Sequence, residues 1–137
     1  GIDGELTLIN STVAGNNEGI FVGSAVGTDL RNSIIAGNSE YDATIFDVAV
    51  NIQGCLVGSN ANNQLTEAQS PDANGNLIGN PDGGGIINPL LGSLQDNGGF
   101  GQTLALLAGL GTLPACGVIA VKSGIRRQSV SCPMARW

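Results

Sequence analysis

Carboxylates are the one set of side chains in this 137-residue chain whose type and spacing suggest chemistry. Histidine is absent, which removes Ser-His nucleophile activation, imidazole general-base work and most zinc hydrolase schemes. Glu18, Glu40, Ala61 and Asp82 each stand three residues after one of four recurring glycines, Gly15, Gly37, Gly58 and Gly79. If those segments stack, Glu18 and Glu40 face each other on neighbouring turns and Asp82 lies further along the same line. Two carboxylates about 5 Å apart suit a retaining glycoside hydrolase, and a stacked pair also suits Ca²⁺. Ala61 interrupts the line, and Arg31 is the only basic residue among these segments, a thin basis for a lyase. The favoured reading is therefore solvated turn acids with no catalytic set. Glu18 and Glu40 remain the candidate acids, and Glu18, Glu40 and Asp82 the candidate ligand or ion contacts. Asp42 and Asp47 add to this acidic surface, while Phe21, Tyr41 and Phe46 lie close enough in sequence to form a sugar subsite.

What would position these acids is an internal repeat. Asn10-Ser11-Thr12-Val13-Ala14-Gly15-Asn16 returns 22 residues later as Asn32-Ser33-Ile34-Ile35-Ala36-Gly37-Asn38. Fainter copies follow at Gln53 to Ser59 and Asn74 to Asn80. Aligned on the register glycines, the position five before is an amide in all four copies: Asn10, Asn32, Gln53 and Asn74. Two before stand Val13, Ile35, Leu56 and Leu77, an apolar column. Each copy reads as turn, short strand, turn. A strand this short cannot bury its own face, so the copies must stack to make a core. Stacking at roughly 4.8 Å would turn the amide column into a hydrogen-bonded ladder, with glycine at the tight corners. The spacing thus predicts an all-β chain, a right-handed parallel β-helix (solenoid) of about four 21–22-residue coils with an irregular C-terminal segment.

Composition narrows the function classes. A net charge of −6 argues against a sequence-independent nucleic-acid surface. No apolar run is long enough to span a bilayer, and the first residues do not read as a signal peptide. Thr7, Thr12 and Thr28 share no column, which argues against an ice-binding face, and the polar run from Asp72 to Asp82 lacks an EF-hand pattern. Cys55, Cys116 and Cys132 match no zinc spacing. Cys55 reads as a small buried hydrophobe, and Cys116 and Cys132 could pair only in an oxidising compartment. No cofactor is called for beyond the Ca²⁺ candidate.

The segment Leu6-Thr7-Leu8-Ile9-Asn10-Ser11-Thr12-Val13-Ala14-Gly15-Asn16 resembles the repeats of bacterial parallel β-helix proteins of the polymorphic-outer-membrane-protein-like type. Asn88-Pro89-Leu90-Leu91-Gly92-Ser93-Leu94-Gln95-Asp96-Asn97-Gly98-Gly99, with Gln102-Thr103-Leu104-Ala105-Leu106-Leu107, is similar to the closing segment of surface proteins carrying the choice-of-anchor Q domain. The resemblance covers about residues 5–109. It implies repeat coils over 1–87, a closing segment over 88–109, and further coils preceding Gly1. Residues 110–137 depart from the family and hold four of the five basic residues and no acid, so this tail reads as out of frame or disordered. The function implied is a non-catalytic structural or adhesive segment of a secreted or cell-surface bacterial protein, whose partner is a glycan or another surface protein. The alternative is a carbohydrate-active enzyme, a polysaccharide lyase or glycoside hydrolase.

Overall fold

A computed structural model describes residues 5–23, 27–46, 49–60 and 64–107. The expectations for Asp47, Ala61, Cys116, Cys132 and the 110–137 tail fall outside these residues. Eleven strands follow in order: β1 (Leu6–Ile9), β2 (Thr12–Val13), β3 (Glu18–Val22), β4 (Thr28–Arg31), β5 (Ile34–Ile35), β6 (Tyr41–Ile45), β7 (Val50–Gln53), β8 (Leu56–Val57), β9 (Leu77–Ile78), β10 (Leu91–Asp96) and β11 (Gln102–Leu106). No helix occurs among the described residues.

These strands form four small sheets, ordered β1-β4-β7, β2-β5-β8-β9, β3-β6 and β10-β11. The first three are parallel and the last is antiparallel. The expected right-handed parallel β-helix is corrected by this arrangement: no closed or solenoid sheet is found among the described residues. The repeat is too uneven to build one. Only the four-stranded sheet draws on all four copies, and the fourth gives it just Leu77–Ile78. Beside β6, the third copy supplies a single bridge, Ala43 to Asn60, instead of a strand. Ala68 pairs antiparallel with Ile78, and residues 91–106 fold back as a hairpin.

What survives of the repeat is its pairing register. Leu6 lies beside Thr28 and Thr28 beside Val50, while Thr12, Ile34, Leu56 and Leu77 form one row and Val13, Ile35, Val57 and Ile78 the next. The second row faces the main core with Val22, Leu30, Ala43, Ile45, Cys55 and Leu65. Each Ile or Leu sealed there contributes ~1.5–3 kcal/mol through burial. On the opposite face Ile34, Ala36, Leu56 and Leu77 pack with Ile87 into a second apolar cluster. The four-stranded sheet is therefore buried on both sides, which is why its residues read as continuous apolar pairs instead of alternating.

This register also corrects the amide column. Asn10 N donates to Arg31 O, Asn32 N to Gln53 O and Gly54 N to Asn74 O, so the equivalent corner residues are Asn10, Asn32, Gly54 and Gly75. All four have left-handed backbone, with φ of 51°, 47°, 62° and 76°. Asn and Gly are the residues that take this conformation most readily, so the column is defined by backbone geometry and not by side-chain amides. Gln53 and Asn74 fall one residue earlier, and no Asn10–Asn32–Gln53–Asn74 ladder forms. The register glycines divide in the same way. Gly15 and Gly37 turn with positive φ, at 74° and 78°, whereas Gly58 and Gly79 occupy the row of Ala14 and Ala36 and are small for steric reasons.

Candidate functional site

The residue after each left-handed corner points inward: Ser11, Ser33, Cys55 and Asn76. Ser33, Cys55 and Asn76 are buried. Ser33 Oγ accepts from Ser11 N at 3.1 Å, and Asn76 Oδ1 accepts from Cys55 N at 3.0 Å. Ser11 Oγ, Ser33 Oγ and Cys55 Sγ each donate to the carbonyl two residues earlier. The ladder in this protein is thus made of a hydroxyl, a thiol and an amide, each answering the backbone of the strand before it. Small size and one polar atom were its sequence signal. Burial pushes the Cys55 thiol above its ordinary value and the nearby Asp29 charge adds to this, against a hydrogen bond from the Ser33 backbone. Thiol reagents are accordingly expected to reach Cys55 only after unfolding. With Cys116 and Cys132 changed to Ser, labelling should be roughly 100-fold slower in native buffer than in denaturant. Equal rates would show an open corner.

The candidate acids do not converge. Glu18 lies beside Tyr41, and Ile20 beside Ala43, an offset of 23 residues instead of 22. One extra residue between Gly37 and Tyr41 causes the slip, and Glu40 N donates instead to Asn17 O. The expected pairing of Glu18 with Glu40 is corrected accordingly. Asp82 sits exposed in a separate turn, where its N–H bonds Asn80 Oδ1 at 2.9 Å. Asp42, expected on the surface, is 2% exposed. Its Oδ1 accepts from Asn38 N at 2.9 Å and from Asn38 Nδ2 at 2.8 Å, which explains how a carboxyl is tolerated there. Asn38 Oδ1 in turn accepts from Asn16 N at 3.0 Å. No three Cys, Asp or Glu side chains come together as a metal-ligand set among the described residues.

Two surface features lie near these residues. Phe21 and Phe46 form an exposed strip on the outside of the β3-β6 sheet, and Tyr41 stands apart at the start of β6; each is 40–44% exposed. The Phe21 and Phe46 rings lie 5.8 Å apart, tilted at 57°. Glu18 pairs with Tyr41, three residues along the strands from the Phe21–Thr44 pair and on the alternate face. Elsewhere, a groove of about 510 Å³ runs between the outer face of the four-stranded sheet, at Ala14 and Ala36, and the hairpin side chains Leu91, Leu94 and Leu104. It is lined by apolar residues and one amide, Asn88, with no acid or base that could carry a reaction.

No protein-family model, curated protein or solved structure matches this chain.

Proposed function

We propose that the chain is a non-catalytic adhesive segment of a secreted or cell-surface protein, and that the strip of Phe21 and Phe46 is its glycan-contact surface. The observation that carries this reading is the exposed aromatic strip itself. Aromatic faces left in water on a rigid sheet offer apolar stacking area to sugar rings, and grouped exposure of this kind is more often an interaction site than a chance of packing.

The test is a panel of soluble polysaccharides measured by titration calorimetry together with release of reducing ends. The expected result is saturable binding to at least one glycan, no turnover, and about tenfold weaker binding in Phe46→Ala and in Phe21→Ala. Reducing ends that appear with the intact chain and vanish in Glu40→Gln would overturn the non-catalytic reading. Binding unchanged in both aromatic variants would remove the strip from it.

A further inference from the structure

The two ends of the stacked strands differ. At the far end the chain covers its own edges: Ala68 and Ile78 exchange backbone hydrogen bonds across the outer side of β9, Asn74 O takes Gly54 N, and Asn76 Nδ2 caps Ile52 O at 3.1 Å. At the near end, β1 and β2 are edge strands with nothing paired to their outer sides among the described residues. Leu6 N donates to Gly27 O, just before β4, and Asn10 N to Arg31 O, so the alternation of a parallel ladder turns the N–H groups of Thr7 and Ile9 outward. The apolar residues of this edge are also incompletely covered. Leu6, Leu8, Val13 and Ile20 are half-buried, whereas Leu30, Ile35 and Ala43 in the next layer are 0% exposed.

The side chains at this end are already set as acceptors. Ser33 Oγ donates to Arg31 O and receives the N–H of Ser11, one layer earlier. Ser11 Oγ donates to Ile9 O in the same way, and no donor among the described residues comes to it. Asn38 Oδ1 receives Asn16 N, and Asn16 holds the equivalent position with its Oδ1 unoccupied among the described residues. Backbone, apolar surface and two side-chain acceptors therefore all present again, on the outer side of β1 and β2, the pattern seen between the first two layers.

We propose that the β1–β2 edge is a docking site for an extended polypeptide carrying this chain's own repeat, added in parallel by strand augmentation. The occupant is specified by chemistry. It needs a residue that tolerates positive φ at the corner, a following residue whose N–H reaches Ser11 Oγ, and apolar side chains spaced to cover Leu6, Leu8 and Val13. Main-chain hydrogen bonds supply the attraction, and the corner and apolar row set the register. An antiparallel segment, such as the same edge of a second copy, would not bring its N–H groups onto Ser11 Oγ and Asn16 Oδ1 in this sequence.

A fluorescent synthetic peptide with the sequence of residues 27–46, titrated with the intact chain and read by anisotropy, tests this. The expected result is saturable one-to-one binding, weakened about tenfold or more by Thr7→Pro combined with Ile9→Pro, which removes the outward donors and leaves the β1–β4 bonds in place. Ser11→Ala, which leaves the strand backbone untouched, should weaken binding about threefold, and circular dichroism of each variant checks that it is folded. Absence of binding to the folded chain, or equal binding by the chain and the Ser11→Ala and proline variants, overturns the proposal. So does a dimer of the chain alone that the proline pair dissolves and the peptide does not compete away, since its occupant would then be a second copy.

Discussion

Gly79→Ala is expected to cost roughly 2–4 kcal/mol and to lower the melting temperature by about 10 °C. A Cβ at this position would run into the carbonyl oxygen of Gly58 and come within 2.8 Å of Ile87 N. Both are backbone atoms that carry structure: Gly58 O accepts the hydrogen bond of Ile87 N, which ties the 86–90 segment to the outer face of the four-stranded sheet. The methyl therefore cannot be accommodated by a side chain swinging aside. Ala36, two strands away in the same row, already carries its Cβ, so Ala36→Gly gives the matched control. That change should cost no more than about 1 kcal/mol from backbone entropy and lost packing. Thermal melts of the two variants under identical conditions decide the matter. Similar losses would mean that the close approach of Ile87 to Gly79 does not constrain the fold.

Asn76→Asp should destabilise by about 3 kcal/mol at neutral pH and recover part of that loss on acidification, opposite to the parent chain. The Asn76 amide is 0% exposed and fully used: its Nδ2 donates to Asp72 Oδ2 at 3.0 Å and to Ile52 O, and its Oδ1 accepts Cys55 N. An Asp there removes both donors and sets two carboxylates against each other. Partial burial would by itself raise the Asp72 carboxyl, but hydrogen bonds from the Asn76 backbone, the Asn76 side chain and the backbone of Asn74 and Gly75 outweigh it and hold Asp72 below its ordinary 3.8. The parent's contribution from Asp72 is thus complete above 3.8 and is lost as pH falls through the lower folded value. In the variant, crowding raises the folded value of the pair, so its stability increases as pH falls through that raised value toward the ordinary one. Urea unfolding at pH 7 and near pH 4 should show the gap between the two proteins narrowing. A constant gap would mean that the carboxylates find separate solvation.

The motif Asn-Ser-x-x-Ala-Gly-Asn marks β2 and β5, because it repeats there without insertion and its apolar residues fall in the paired rows, whereas β1, β3, β4 and β6 carry no such mark. The sequence pattern misleads where residue identity and backbone role part company. Aligning on glycine placed Gln53 under Asn32, yet Gly54 shares the left-handed corner with Asn32. Asn and Gly are interchangeable for that dihedral and share nothing else, so an alignment of chemical types slides by one residue. The expected acid pair failed for a related reason: one additional residue before Tyr41 moves Glu40 out of line, and spacing counted from Gly37 does not reveal it. Asp42 was read as solvated because nothing local marks an acid as buried. Its partner, Asn38, is four residues away and meets it only when the turn closes. The seat of the hairpin over the Ala14 and Ala36 face depends on contacts more than 50 residues apart in the chain, beyond any local pattern.

The two-sided burial of the four-stranded sheet bears on the order in which the chain leaves a ribosome. Ile34 and Leu56 are made long before Ile87, whose segment covers them, so for that interval a nascent chain carries their apolar row bare to water. Strands of two residues offer little to hold such a row in place until the later residues arrive. Final shape is thereby deferred to the last part of the described chain, and synthesis paused before residue 87 leaves a sticky intermediate instead of a smaller folded unit.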